Sequence, residues 1–251
     1  MNHIKGPLFK WFGSKWMASR YYPMPLSGPI VEPFAGGAGY SLRHSSHSVY
    51  LAESDCNVLE LWQWLINANP ADVTSIPVNI AEGTNILEMN LSRGQALLLK
   101  NWQRTNNVSE CWTISPWGNK PGQWTENCRS RVATDSQFIK HWNADCKDGF
   151  EMLESDLKED GSVTWLIDPP YLYNYRYKKG ANFEYDRLAQ AISKLRGQVI
   201  ACEAACPKTG ALPEYLPFQF FAKTVTSRRS SGCNTHSKEL LYYRDSTRVV
   251  I

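Results

Sequence analysis

The chain contains 251 residues, of which 43% are hydrophobic, and its formal net charge is only +3. No apolar run approaches the roughly 18 residues that a membrane-spanning helix needs, residues 1–7 contain no apolar signal segment, and the seven cysteines lack paired spacing. These features argue against a membrane protein and against a disulfide-stapled secreted domain. The small net charge does not by itself indicate a nucleic-acid partner. We therefore expect a cytoplasmic protein of one or two small domains, without a bound metal.

Strand-like and helix-like segments alternate in the first 69 residues. The last helix is the clearest, because Leu59, Trp62 and Leu65 recur at helical spacing and Asn69-Pro70 ends it. The elements predicted here are a short helix at 14–21, a strand at 29–34, a helix at 37–44, a strand at 48–53 and a helix at 57–67.

A glycine-rich turn follows the first predicted strand. Gly36, Gly37 and Gly39 would let the backbone approach a bound ligand closely and turn into a helix. The turn lacks the Lys-Ser/Thr pair of a phosphate-binding loop. The next strand ends in acids, Glu53 and Asp55, about 20 residues after the glycines, where ribose hydroxyls can be bound. A ribose contact without a phosphate contact favours a nucleoside cofactor such as S-adenosylmethionine.

Residues 70–136 break this alternation, and we predict a mainly helical insertion with a Gly/Pro/Asn-rich loop at 115–128. Ile86–Trp102 is its most helix-like part. Between residues 93 and 140 the chain carries seven basic and three acidic residues, with four tryptophans among them. Basic residues interleaved with aromatic ones suit phosphate contacts and stacking on bases. The alternative is a structural cap that uses its tryptophans as core.

The alternation resumes after the insertion and defines the fold class. The predicted elements are a strand at 137–142, a helix at 147–157, a strand before Asp168, a helix at 183–195, a strand at 198–202 and a hairpin from 218–226 and 240–244. This order implies an α/β fold with a doubly wound, mostly parallel, Rossmann-like sheet that an antiparallel hairpin closes. Residues 1–69 and 137–251 would form the main domain, and residues 70–136 the insertion.

The stretch Asp168-Pro169-Pro170-Tyr171 is the most informative in the chain. Its prolines have no N–H and a fixed φ, so they stop the preceding apolar strand and hold the loop rigid at the carboxyl edge of the sheet. The Asp168 carboxylate and the Pro169 carbonyl can accept hydrogen bonds from one planar amino group, while Tyr171 stacks on the ring that carries it. Such a grip would aim the nitrogen lone pair at an electrophilic methyl group. A proline turn after a core strand explains the tetrapeptide alone equally well.

Four stretches of the chain form a set: Lys10–Lys15 (KWFGSK), Glu32–Gly39 (EPFAGGAG), Asp55–Asn57 (DCN) and Asp168–Tyr171 (DPPY). In this order they resemble motifs of the Dam-type DNA adenine-N6 methyltransferases, which include phage-encoded members. Ser14 stands where that family usually has a second glycine. Asn143–Cys146 is a weaker fifth match, at the place where the family contacts the adenine of its cofactor, and residues 237–243 resemble its last strand.

The resemblance implies an enzyme that uses S-adenosylmethionine to methylate the N6 amino group of an adenine flipped out of double-stranded DNA, in a bacterial or phage-infected cell. It assigns catalysis to Asp168, Pro169, Pro170 and Tyr171. The residues expected around the cofactor are Trp11, Lys15, Glu32, Phe34, Gly36, Gly37, Asp55, Asp145, Cys146 and Asp168. The residues expected to contact the nucleic acid are Arg104, Trp117, Lys120, Arg129, Arg131, Arg228 and Arg229.

Three alternatives stay open at this point. Cytosine-N4 methyltransferases use closely similar catalytic loops, because cytosine presents the same amino geometry. A catalytically degenerate methyltransferase fold could serve as a DNA-binding module, although the presence of Asp55, Asp168, Tyr171 and the glycine-rich turn argues against it. Protein-glutamine methylation is a weaker option, because that chemistry usually places Asn before Pro-Pro-Tyr.

Overall fold

The computed structural model describes residues 3–103, 111–116, 118–146, 148–172 and 183–203, together with the backbone of two strands at 221–228 and 236–244. The strands are β1 (Ile30–Glu32), β2 (Val49–Ala52), β3 (Asn143–Cys146), β4 (Thr164–Ile167), β5 (Gln198–Glu203), β6 (Phe221–Arg228) and β7 (His236–Arg244). The α-helices are α1 (Gly39–Arg43), α2 (Cys56–Asn67), α3 (Pro70–Thr74), α4 (Arg93–Trp102), α5 (Glu126–Asp135), α6 (Gly149–Glu154) and α7 (Tyr185–Lys194). In this part of the chain, no helix is long and apolar enough to cross a membrane.

All seven strands belong to one sheet, in the order β3-β2-β1-β4-β5-β7-β6. The first five strands in this order are parallel to one another, which confirms the predicted α/β class with a parallel sheet. β7 runs antiparallel to β5 and to β6. The two strands span 221–228 and 236–244, so they start and end at other residues than the 218–226 and 240–244 that the sequence predicts.

Both faces of the parallel sheet are covered, because successive side chains of each central strand enter different hydrophobic clusters. Ile30 packs into a cluster with α2 and the N-terminal segment, whereas its neighbour Val31 packs into a cluster with α6 and α7. Leu166 and Trp165 divide in the same way. Strands that are buried on two faces read as continuous apolar runs, and all four residues of β4 are buried.

The predicted strand at 137–142 is wrong. Residues Ser136–Ile139 form a turn of 3₁₀-helix, and the strand lies instead at Asn143–Cys146. The buried side chains here are those of Asp135, Ser136, Ile139 and Trp142, a spacing of three rather than two, so the apolar run has a helical period. The true strand β3 is at the edge of the sheet, and because only its Ala144 is buried, it carries little apolar signal.

Two predicted helices start later than expected. Instead of a helix at 14–21 there is a 3₁₀ turn at Ser19–Tyr21. In the helix-like part from Ile86 to Trp102, Ile86–Glu88 form a 3₁₀ turn, and the α-helix begins at Arg93 because Ser92 and Gln95 form a reciprocal capping box, in which each side chain bonds to the backbone N–H of the other. This Ser-x-x-Gln signal stands in the sequence and marks the helix start directly.

The region between residues 70 and 136 packs into the same core as the rest of the molecule. Its described residues form three short α-helices joined by irregular segments, so it is less helical than predicted. Trp102 and Trp124 are buried, and the Trp102 indole donates a hydrogen bond to the Leu8 carbonyl, 2.9 Å away. These two tryptophans therefore belong to the core, as the interpretation of this region as a structural cap predicts. Whether the region is a separate target-recognition unit stays a prediction.

The tight turn before β5 generates a stability prediction. Gly197 has φ +79°, and a Cβ at this position would overlap the carbonyl oxygen of Val163. Gly83 has φ +80° with nothing near its missing Cβ, so it is a matched control for the backbone strain alone. We expect Gly83→Ala to lower the free energy of unfolding by about 1–2 kcal/mol, and Gly197→Ala by about 1–3 kcal/mol more because of the overlap. Urea denaturation measures both, and equal losses would show that the turn relaxes freely.

Candidate active site at the carboxyl edge of the sheet

The order of the strands reverses between β1 and β4. From β1 the chain proceeds to β2 and β3 on one side, whereas β5 lies on the other side of β4. β1 and β4 are direct neighbours, with Ile30 opposite Thr164. Ligands of open α/β sheets bind in the crevice at the carboxyl ends of the strands where the order reverses. The glycine-rich turn after β1 and the Asp168 loop after β4 flank this crevice.

A buried ion pair joins the N-terminal segment to the Asp168 loop. The Lys15 Nζ lies 2.5 Å from Asp168 Oδ2, and the side chains are only 7% and 19% exposed. The same ammonium donates to the Gly13 carbonyl at 2.7 Å and lies 5.3 Å from the centre of the Tyr171 ring. The structure thus brings together three residues that the sequence assigns to one site, although Lys15 and Asp168 are 153 positions apart.

Glu32 adds a second buried carboxylate beside this ion pair. Its Oε1 accepts hydrogen bonds from the backbone N–H and the hydroxyl of Ser41, at 2.9 and 2.5 Å. The pKa of Glu32 is raised to about 7, mainly by burial; the Ser41 hydrogen bonds and the charge of Lys15 oppose the shift, and the negative charge of Asp168 adds to it. Glu32 therefore lies within the electrostatic reach of the Asp168 loop, but its carboxylate bonds to the start of α1.

The glycine-rich turn is held on both sides of its backbone. The Gly36 N–H donates to Glu53 Oε2, and the Gly36 carbonyl accepts from the Trp62 indole, both at 2.8 Å. Trp11 lies against the turn, because a Cβ at Gly36 would be 2.6 Å from Trp11 Nε1 and a Cβ at Gly37 would be 3.1 Å from Trp11 Cβ. Gly36 also has φ +46°, a conformation that favours glycine. The N-terminal segment therefore packs directly on the turn.

Two acids follow β2, and they differ in what their oxygens already bind. Both oxygens of Glu53 accept backbone hydrogen bonds, from Gly36 and from Asp55. Burial raises the pKa of Glu53 above its usual range. Asp55 caps α2 by accepting from the Asn57 N–H through Oδ1 at 2.9 Å, and within the described residues no donor reaches its Oδ2. Asp55 is thus the better placed of the two to accept a hydrogen bond from a ligand hydroxyl.

Asp145 and Cys146 lie at the carboxyl end of β3, next to the end of β2. Ala52 is paired with Cys146, and the Glu53 N–H donates to the Cys146 carbonyl at 3.2 Å. The Asp145 side chain is exposed and accepts from the Asn143 amide at 2.7 Å. These residues therefore extend the same edge of the sheet beyond Asp55.

An aromatic cluster under the crevice contains a residue that the sequence did not point to. Phe34 packs against Phe150 and Phe183, with ring centres 6.1 and 5.5 Å apart, and Phe183 packs against Tyr185 at 5.0 Å. Phe183 lies outside every motif, and only the folded chain brings it beside the glycine-rich turn.

The Asp168 loop is also held by two residues that sequence reasoning missed. The Tyr185 hydroxyl donates to the Pro170 carbonyl at 2.7 Å, and Glu203 Oε1 accepts from the Leu172 N–H at 3.0 Å. Glu203 is fully buried at the end of β5. The only signal in the sequence is the position of Glu203 at the end of an apolar strand, and this position does not indicate which group its carboxylate will bind.

Arg129 and Arg131, two of the arginines predicted to contact DNA, are engaged within the protein. Arg129 donates to the Ile76 carbonyl at 2.8 Å and to Glu126 at 2.6 Å. Arg131 donates to Asp135 at 2.9 Å and to the Pro7 carbonyl at 2.8 Å. Their side chains are only 19% and 21% exposed, so both arginines have a structural role within the protein, and their phosphate contacts stay a prediction.

The remaining predicted DNA contacts divide between one exposed lysine and positions that lack a description. Lys120 is exposed in the loop before α5. Arg104, Trp117 and Arg229 lie outside the described residues. For Arg228, at the end of β6, only the backbone is described.

Comparisons of the chain with models of known protein families and with curated proteins found no match. Within the described residues, no group of three or more His, Cys, Asp or Glu side chains is arranged to hold a metal ion. The function must therefore be inferred from the residues of the crevice and their geometry.

The buried Glu32 generates a prediction about pH. Its folded pKa of about 7 exceeds the ordinary value of 4.5, so between these pH values the folded protein holds a proton that the unfolded chain has released. The stabilisation of the folded state by protonated Glu32 is complete below pH 4.5 and is lost as pH rises through 7. The free energy of unfolding changes by about 3 kcal/mol, at about 1.4 kcal/mol per unit of pKa difference.

The test compares the free energy of unfolding of wild type and Glu32→Gln from pH 4.5 to 8. The stability of the wild type should fall relative to that of the variant as pH rises, because Gln accepts the Ser41 hydrogen bonds but does not titrate. Glu151→Gln, an exposed change on α6, controls for the loss of one formal charge. Parallel curves for wild type and Glu32→Gln would contradict the assignment.

Proposed function

We propose that the protein is a DNA methyltransferase that uses S-adenosylmethionine to methylate the N6 amino group of adenine. The observation that carries the proposal is the Lys15–Asp168 ion pair at the point where the strand order reverses. It joins two of the stretches that resemble the Dam-type family, and the third, the glycine-rich turn, packs against Trp11 of the same N-terminal segment. Stretches that are distant in the chain thus converge on one crevice.

The contacts of Lys15 support an amino group as the target. Its ammonium donates to Asp168 and lies over the Tyr171 ring. The amino group of a base could donate to the same carboxylate, while Tyr171 stacks on the ring that carries it. Positioning of this kind supplies much of the catalysis when the electrophile is already activated. The side chains of Asp168 and Tyr171 therefore suit a flipped base, which a duplex must release from its stack.

The cofactor supplies an activated methyl group on a sulfonium, and the residues around the crevice suit its nucleoside part. The turn at Gly36 and Gly37 leaves no room for side chains, and the Asp55 carboxylate at the end of β2 can accept from ribose hydroxyls. Asp145 and Cys146 continue the same edge. The antiparallel β7 between β5 and β6 also fits the closing hairpin that the resemblance implies.

The decisive experiment incubates the purified protein with double-stranded DNA and methyl-labelled S-adenosylmethionine, digests the product to nucleosides and identifies the modified base by mass spectrometry. N6-methyladenine supports the proposal, whereas N4-methylcytosine favours the alternative target. Tight cofactor binding without any transfer to DNA would indicate a degenerate module. DNA from a methylation-free host is the substrate, because existing methyl groups would block the sites.

Asp168→Ala should abolish methyl transfer, because no carboxylate would then hold the amino group. The same change leaves the Lys15 ammonium buried without its partner, which costs about 3–5 kcal/mol, so folding is checked by circular dichroism and thermal unfolding. Lys15→Met combined with Asp168→Ala removes both charges and separates catalysis from stability. Asp156→Ala, an exposed change, is the control. Near-normal turnover in a folded Asp168→Ala protein would refute the mechanism.

Asp55→Ser should weaken S-adenosylmethionine binding by about 1–3 kcal/mol, because ribose hydroxyls would lose a charged acceptor. Serine is chosen because it preserves the cap of α2, whereas alanine would also remove the cap and cost about 1 kcal/mol of stability. Calorimetry gives the affinity, and Glu60→Ala on the same helix is the control. Unchanged affinity in Asp55→Ser would show that the ribose contact lies elsewhere.

A further inference from the structure

The Asp168 loop contains few backbone N–H groups that can donate hydrogen bonds. Pro169 and Pro170 follow each other, so two successive positions of the loop have no N–H with which to hold it in place. Its carbonyl groups must find donors from other elements if they are to have fixed directions. One of these carbonyls, that of Pro169, is the group that the proposed mechanism uses to accept from the target amine.

Tyr185 provides such a donor. It is the first residue of α7, and its hydroxyl lies 2.7 Å from the Pro170 carbonyl oxygen. Burial raises the pKa of Tyr185 to about 12, with a contribution from the negative charge of Glu203, so the hydroxyl keeps its proton across the working pH range of an enzyme. The Tyr185 ring is itself held by Phe183, which packs on Phe34 beside the glycine-rich turn.

Glu203 holds the other end of the loop. The Leu172 N–H, which directly follows Tyr171, donates to Glu203 Oε1 at 3.0 Å. Glu203 is fully buried at the end of β5, the strand next to β4, so its carboxylate is carried by the rigid part of the sheet. The two contacts bracket Tyr171, one on the residue before it and one on the residue after it.

We propose that Tyr185 and Glu203 are positioning residues for the methyl transfer, an assignment that rests on the proposed function. By fixing the peptide groups on either side of Tyr171, they set the direction of the Tyr171 ring and, through the rigid proline pair, of the Pro169 carbonyl. Neither residue touches the reacting atoms. Their effect is on the geometry of the groups that grip the base, where a displacement of about 1 Å can cost on the order of 100-fold in rate.

The test is Tyr185→Phe, which removes only the hydroxyl, with Tyr40→Phe as a matched control. Tyr40 donates to the carbonyl of Pro23 at 2.9 Å, so both variants lose one tyrosine-to-proline-carbonyl hydrogen bond. We expect Tyr185→Phe to lower the single-turnover rate, at saturating cofactor and DNA, by about 10- to 100-fold. Cofactor affinity should be unchanged. Tyr40→Phe should show a comparable shift in melting temperature and a rate close to wild type.

Glu203 offers a second, independent pair of variants. Glu203→Gln keeps an oxygen that accepts from the Leu172 N–H, so its rate should stay near wild type, whereas Glu203→Met removes the acceptor and should be slow. If Glu203→Gln is as slow as Glu203→Met, or if Tyr185→Phe transfers methyl groups as fast as wild type, the assignment is overturned. A wild-type protein that transfers no methyl group overturns the proposed function, and this assignment falls with it.

Discussion

The ion pair between Lys15 and Asp168 is the interaction on which the arrangement of the crevice depends. It is almost shielded from water, and the loss of one partner from such a pair costs about 3–5 kcal/mol because the other charge stays buried. The pair therefore fixes how the N-terminal segment lies across the carboxyl edge of the sheet. Once Lys15 is placed, Trp11 lies on the glycine-rich turn, and the turn in turn is tied to β2 and α2 through Glu53 and Trp62.

The strands and the loops of the crevice are held in place in different ways. The strands β1 and β4 are buried on both faces and give the crevice a fixed base. Side chains from neighbouring elements help to hold the loops above them: Glu53 and Trp62 bind the glycine-rich turn, and Tyr185 and Glu203 bind the Asp168 loop. The preorganised part of the site is thus built from contacts between elements. Such an arrangement places the side chains at the crevice accurately.

The sequence was sufficient for those parts of the fold that repeat a strong local pattern. Buried strands such as Thr164–Ile167 and the amphipathic helix Cys56–Asn67 have periods that tertiary packing does not override. The strand at Asn143–Cys146 was misplaced because an edge strand with one buried side chain has almost no hydrophobic signal. Tyr185 and Glu203 were missed for another reason: each matters through a single hydrogen bond to a distant loop, and no spacing rule relates them to it. Arg129 and Arg131 have carbonyl and carboxylate partners within the protein that the sequence did not predict, because the charge of a side chain does not identify the acceptor it will meet in the fold.

The packing of the 70–136 region has a consequence for how this protein can diverge. Trp102 bonds to the Leu8 carbonyl and Arg131 to the Pro7 carbonyl, just before the segment that carries Trp11 and Lys15. Substitutions at Trp102 or Arg131 would disturb the crevice as well as the 70–136 region, so selection that preserves the crevice also acts on these two residues. This constraint does not apply to exposed positions such as Lys120. Variation among descendants of this chain should therefore accumulate in the exposed loop that carries Lys120. The helices α4 and α5, which carry Trp102 and Arg131, should change only together with the N-terminal segment.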